Sequence, residues 1–249
     1  INNAGLEKGQ RLRHNRYQKL KQSLQQLLIN RGYAEGTLTR HRLEVDRDRR
    51  EARVVLQVDS GPRYRVGDIT LSGDAQISER LRRAYLQFAS GEPFSNEKLL
   101  ATQQAYLGAG YFSAVRLDRG EPDADSRTID VGIHFNPRNE WALLAGIGVS
   151  TDTGPRLRLG VENRRVNAAG HTARVETELS GVRQGVGAGY TIPLRDPINE
   201  KIELRTRYVN EETDTSESEI FSTSADYIIK LDSDWVATTS LEYLRETYT

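Results

Sequence analysis

A change of period at Trp141 limits the possible folds more than any other feature of this chain. From there on, apolar and polar residues alternate one by one. Trp141, Leu143, Ala145, Ile147 and Val149 alternate with Ala142, Leu144, Gly146, Gly148 and Ser150. Leu157, Leu159 and Val161 alternate with Arg156, Arg158 and Glu162, and Ala173, Val175, Thr177 and Leu179 with Arg174, Glu176 and Glu178. Four further runs, at about 183–192, 201–209, 220–231 and 235–245, predict seven strands of about ten residues in all. Turns such as Asp152-Thr153-Gly154-Pro155 and Arg195-Asp196-Pro197 separate them. No helical period survives in this half.

Alternation has two physical meanings. In a soluble sandwich the apolar face points to the core; in a membrane barrel it points to lipid, and the polar face lines a lumen. A tilted strand needs ~9–11 residues to cross a bilayer, which matches these runs. The polar faces carry Arg158, Arg174, Glu176, Glu178, Glu203, Arg205 and Arg207, which suits an enclosed, charge-compensated interior. An acidic loop is expected at Asn210–Glu219. From the pattern alone both readings stand.

The first 140 residues read differently. Tyr17, Leu20, Leu24, Leu27 and Leu28 lie on one face of a helix over 17–31, closed by Gly32 as a left-handed C-cap. Arg42–Asp48 and Arg53–Val58 read as a hairpin, and Val66–Leu71 as a strand between Ser60-Gly61-Pro62 and Ser72-Gly73. Helices are expected at Ser78–Phe88 and Ser95–Gly110, the second capped by Ser95 or Asn96, then strands at Ala114–Leu117 and Thr128–Phe135. Placing Gly110-Tyr111 on Gly32-Tyr33 gives a period of 78 residues and also superposes Gln103-Gln104 on Gln25-Gln26. A repeat of that length is a whole small domain. The complete copy runs strand, helix, helix, strand, strand; the earlier one lacks its first strand, so the chain is expected to begin inside a domain and to be an excised or processed piece.

Charge divides at the same place. Residues 1–140 carry 23 basic and 18 acidic side chains, and 141–249 carry 12 and 17, so a net charge of zero hides +5 and −5. Residues 8–34 hold seven basic groups (Lys8, Arg11, Arg13, Arg16, Lys19, Lys21, Arg31) and no acidic one. They suit a solvated helix face, or a site for anionic lipid or a partner. The chain has no Cys, which excludes disulfides and thiolate chemistry.

Catalytic signals are absent. His14, His41, His134 and His171 have no ligand spacing, so no metal is expected. Gly185-x-Gly187-x-Gly189 lies in a strand pattern with no helix after it, unlike a nucleotide loop. Asp214, Glu217 and Glu219 lack the spacing of a calcium loop. The expectation is a non-enzyme without cofactor, and, with no aromatic platform beside the basic helix, one that does not bind nucleic acid.

The run Val58-Asp59-Ser60-Gly61-Pro62-Arg63-Tyr64-Arg65-Val66-Gly67-Asp68-Ile69-Thr70-Leu71-Ser72-Gly73, with Gly-Tyr closing the last helix, resembles the POTRA domain. Such domains are periplasmic modules that precede the barrels of outer-membrane assembly proteins. The segment Trp141–Arg156, with Asn167-Ala168-Ala169-Gly170-His171, Tyr190–Pro197 and Asp214–Ser218, resembles the TamA family of the BamA/TamA outer-membrane assembly superfamily. This resemblance implies α+β POTRA domains (β-α-α-β-β) followed by an antiparallel transmembrane β-barrel, of which about the first seven strands are present. Expected boundaries are 1–61 for a truncated POTRA domain, 62–137 for a complete one, and 138–249 for the start of the barrel.

The resemblance also implies a location in the bacterial outer membrane, with POTRA domains in the periplasm. The implied task is to insert or export outer-membrane proteins such as autotransporters. The implied partners are a TamB-like inner-membrane-anchored periplasmic protein, unfolded outer-membrane protein substrates and outer-membrane lipid. In the family the first barrel strand is a lateral gate, which falls here on Trp141, Leu143, Ala145, Gly146, Ile147, Gly148 and Val149. Its two glycines either weaken the strand for opening or relieve crowding in a curved sheet. A POTRA edge strand is expected at Ala114, Val115, Arg116 and Leu117. Other readings are a general barrel insertase, a dedicated secretion transporter, or a soluble periplasmic β-rich binding module.

Overall fold

The computed structural model describes residues 9–151, 154–213, 216–232 and 234–248. An α+β region is followed by an open antiparallel sheet of seven strands.

The α+β region begins with α1 (His14–Asn30), which Gly32 ends at φ +87, followed by the hairpin β1 (Thr37–Asp46) and β2 (Glu51–Asp59). A side chain at Gly32 would stand 2.9 Å from the Phe94 carbonyl, so close packing as well as backbone sign demands glycine there. The complete copy comprises β3 (Arg65–Ser72), α2 (Glu79–Ala84), α3 (Asn96–Gly108), β4 (Phe112–Arg119) and β5 (Thr128–Pro137). Its sheet has the order β3-β5-β4, with β3 and β5 parallel. Gly110, one repeat after Gly32, has the same left-handed backbone at φ +82.

Two expectations need correction in this region. The first hairpin starts at Thr37, five residues before the expected Arg42. The helix expected over Ser78–Phe88 is only six residues long. Ser78 caps its start by accepting the Leu81 N–H at 3.2 Å. Past Ala84 the Tyr85 and Leu86 N–H groups bond the Arg82 and Arg83 carbonyls, three residues back, and the Gln87 N–H then turns to the buried Thr102 hydroxyl, 3.0 Å away, so the helix does not resume. In α3 the Ser95 hydroxyl accepts the Lys98 N–H at 3.4 Å, which settles the cap on Ser95.

Contacts divide the chain into two compact units. One comprises the chain up to Ser72 with Gln87–Gln103 and Arg116–His134; its core holds Tyr64, Val66, Phe94, Ile129, Val131 and Ile133. The other comprises Gly73–Leu86, Gln104–Val115 and the chain from Phe135 onward. Its helical end is packed with rings: Tyr106 lies 4.9 Å from Phe135, 5.9 Å from Phe112 and 5.7 Å from Tyr85, between ring centres. The pairs with Phe135 and Phe112 are edge-to-face and the one with Tyr85 is tilted; such ring pairs add to area burial.

Burial raises the phenol pKa of Tyr85, Tyr106 and Tyr111 above the ordinary 10.0. The folded state therefore holds these protons longer than the unfolded chain does. The stability they contribute is present below pH 10 and is lost as pH rises through the folded values. Alkaline titration followed by tyrosinate absorbance and near-ultraviolet dichroism is expected to show unfolding coupled to ionisation, less steep in Tyr85→Phe. Tyrosines that ionise near 10 without loss of dichroism would contradict it.

The seven-stranded sheet is built from β6 (Trp141–Ser150), β7 (Gly154–Asn163), β8 (Thr172–Ser180), β9 (Arg183–Pro193), β10 (Glu200–Thr213), β11 (Ser216–Lys230) and β12 (Val236–Tyr248), each paired with its sequence neighbour. The last three are longer than the expected ten residues, at 14, 15 and 13. The acidic stretch expected as a loop at Asn210–Glu219 is mostly strand, with Asn210 opposite Glu219, Glu211 opposite Ser218 and Thr213 opposite Ser216. Its Thr and Ser residues are compatible with a strand ladder, so acidity alone was a poor loop signal. Asp152, Thr153, Asp214 and Thr215 of the expected turns, and Lys8 of the basic run, lie outside the described residues. Among the described residues no helix is long and apolar enough to cross a membrane, which says nothing about strands.

Candidate functional site

The sheet has two chemically opposite faces, and its register aligns them in rows. One row reads Leu143, Val161, Val175, Ala188, Thr206, Thr223 and Tyr243 across all seven strands. The next reads Ala145, Leu159, Thr177, Val186, Tyr208 and Phe221, and ends on β12 at Arg245. Arg245 apart, these two rows are uncharged, and the face is uncovered: Leu143 is 87% and Ile147 91% exposed. On β6–β8 the apolar rows continue to Ile147, Leu157 and Leu179, whereas on β10 and β11 the same row has become Asn210 and Glu219. The apolar band therefore runs obliquely to the strands, as it does when strands are tilted in a barrel.

The opposite face is charged. One row reads Glu162, Arg174, Gly189, Arg205, Ser224 and Glu242; the next has Glu176, Gly187, Arg207 and Ser222. Arg158 donates to Glu178 at 2.6 Å, and Arg205 to Asp226 at 2.6 Å. Asp226, almost fully buried, also accepts from Ser224 at 3.1 Å. A cavity of about 370 Å³ opens here, lined by Arg174, Glu176, Arg205, Arg207, Asp226 and Glu242 among others. Gly185, Gly187 and Gly189 share this face. A side chain at Gly187 would meet the stems of Glu176 and Arg207 at 3.8 and 3.9 Å, so β9 lies beneath long charged side chains from its two neighbours. Sequence reading missed Asp226 and Glu242 as members of this face. The signal was there, in small polar residues at every second position of Ser222-x-Ser224-x-Asp226.

Strand β6 lies at one edge of the sheet and, among the described residues, pairs with β7 alone, which leaves its other row of N–H and C=O groups open there. Trp141, Leu143, Ala145, Ile147 and Val149 are on the apolar face, and Gly146 and Gly148 on the charged one. The two glycines differ. A side chain at Gly148 would come within 3.1 Å of the Arg156 guanidinium, whereas one at Gly146 would meet nothing within 4 Å. Crowding accounts for Gly148 alone.

A second open edge is β4, at one side of the order β3-β5-β4. Ala114 and Arg116 are exposed and Leu117 is half-buried, but the Val115 side chain is in the core, so only its main chain is on offer. Beside Leu117 and Arg119 runs a groove shared with Leu27, Asn30 and Arg31 of the α1 end and Leu99 and Leu100 of α3. The histidines stand apart: His14 contacts Gln18, His134 contacts Ser72, and His171 Nδ1 lies 2.9 Å from the Tyr190 hydroxyl.

Residues 64–138 match the POTRA family model, described as a surface antigen variable number repeat. The whole chain has the fold of part of BamA from Haemophilus ducreyi crystallised without POTRA domains 1–3. The two are 15% identical with a TM-score of 0.76, over 98% of this chain and 47% of that one. CdiB from Escherichia coli is similar at 13% identity and a TM-score of 0.58, over 96% of this chain and 46% of its own. CdiB from Acinetobacter baumannii gives 11% and 0.56, over 97% and 47%. The chain thus spans about half the length of the solved structures it matches.

Proposed function

We propose that this chain is the POTRA and early-barrel part of an outer-membrane assembly or translocation factor of the TamA kind, with modules at 1–61, 62–137 and 138–249. The observation that carries the reading is one sheet with an exposed apolar face, a charged opposite face and an unpaired edge strand, directly behind a POTRA match. A strand entering hydrocarbon must find partners for its backbone groups, each of which costs several kcal/mol unpaired. The free edge of β6 supplies such partners by β-augmentation, with little demand on sequence. In this reading Trp141, Leu143, Ala145, Gly146, Ile147, Gly148 and Val149 form the lateral gate, and Ala114–Leu117 the periplasmic docking edge. The substrates are unfolded outer-membrane proteins such as autotransporters, the partner is a TamB-like periplasmic protein, and the apolar face meets outer-membrane lipid.

Membrane partitioning with a gel-mobility comparison before and after boiling tests the barrel. A detergent-dependent protein whose mobility shifts on boiling is expected; a freely soluble one without a shift would leave a periplasmic binding module. Photo-crosslinkers at Gly146 and at Arg116 test the two edges, and both are expected to capture nascent outer-membrane protein strands. Capture at neither site would remove the assembly role.

A further inference from the structure

The turn between β7 and β8 takes part in neither the β6 nor the β4 edge, yet it is held by many hydrogen bonds. It is braced internally: the Asn167 carboxamide accepts the N–H of Ala169 at 3.0 Å and of His171 at 3.2 Å, and the Val166 N–H reaches the His171 carbonyl at 2.7 Å. The braced turn then grips α2 and the start of β4. Ser78, the α2 cap, donates its N–H to the Ala168 carbonyl at 2.8 Å, and the buried Tyr111 hydroxyl donates to the Gly170 carbonyl at 2.6 Å. Arg165, buried, donates to the Gln76 side-chain oxygen and lies 3.9 Å from the Glu140 carboxylate. Glu140 also accepts from the Asn163 side chain at 2.6 Å, which ties in the entry to β6.

Gly170 shows how closely these parts are fitted. Its φ is +80, and a Cβ there would collide with the Leu81 methyl and stand 2.7 Å from the Tyr111 hydroxyl oxygen. Gln76, on the opposing side, is held at φ +50, a conformation rare for a residue with a side chain. Contacts also group Gly73–Leu86 and Gln104–Val115 with the sheet.

We propose that Arg165, Gly170 and Tyr111 are positioning residues of a static clasp, which makes α2 and strands β6–β8 a single body throughout the working cycle. This rests on the functional reading above for the membrane and the gate strand, and deepens it at the joint; boiling-dependent mobility reports on that reading separately from the label distances. Separation at the gate strand must then take place along the free edge of β6.

The chain has no cysteine, so nitroxide labels at Arg83→Cys and Ala169→Cys are unique. Both positions are exposed. Spin–spin distances are measured on the protein in lipid nanodiscs. A single narrow distance is expected in the parent. Gly170→Val is expected to add a second, longer one, and Tyr111→Phe to broaden the first. Boiling-dependent mobility shows whether each variant still folds; if Gly170→Val does not, Tyr111→Phe carries the comparison. A broad or multiple distance in the parent would overturn the clasp, as would a distance that neither folded variant changes.

Discussion

Leu159→Arg is expected to prevent stable insertion into lipid. Leu159 is the middle outward residue of β7, flanked in its row by Ala145 and Thr177. A guanidinium on the lipid side costs ~2–4 kcal/mol at the bilayer midplane, which is a factor of roughly 30 to 1,000 in the folding equilibrium constant. The matched control is Leu244→Arg on β12. Leu244 is also exposed and apolar, but it faces the charged side, opposite Ser222 and between Glu242 and Glu246. It is expected to fold like the parent. The comparison is the urea midpoint of refolding into vesicles, read as the boiling-dependent gel shift. Equal folding of both variants would show that neither face meets lipid, and would count equally against a buried sandwich core on that face.

Tyr106→Ala is expected to be the most damaging single change in the α+β region. Tyr106 is completely buried, it touches three other rings, and its hydroxyl donates to the Arg82 carbonyl at 2.7 Å. Truncating a large buried aromatic costs ~3–5 kcal/mol, because the surroundings refill the cavity only in part. Tyr106→Phe keeps the ring and loses only the hydrogen bond, for about 1–2 kcal/mol. Hydrogen exchange of the amides around 105–113 separates the two cases. Protection is expected to fall strongly in the alanine variant and slightly in the phenylalanine one; equal loss in both would place the weight on the hydroxyl instead of the packing.

Legibility varied with the range of the interaction. Every strand of the sheet was readable because alternation is a local signal, and the Gly32 and Gly110 positions were readable because a left-handed residue after a helix has few alternatives. The early exit from α2 was not, since the Gln87 N–H turns to Thr102, fifteen residues further on. Nor was the burial of Val115, because a four-residue edge strand gives too short a pattern to assign faces. The clasp was invisible for the same reason at longer range: Gly170 looks like any turn glycine until Tyr111 and Leu81 are brought against it. On the candidate edges, the sequence could name strands and faces, but which glycine had a neighbour to accommodate required the Arg156 side chain in place.

The three side-chain-free positions of β9 have a mechanical consequence. Bending a sheet across its strands compresses the side chains on the concave face, and Gly185, Gly187 and Gly189 have none to compress. Curvature across this strand is therefore met by side chains that reach over from β8 and β10, such as the stems of Glu176 and Arg207 beside Gly187, instead of by side chains of β9 itself.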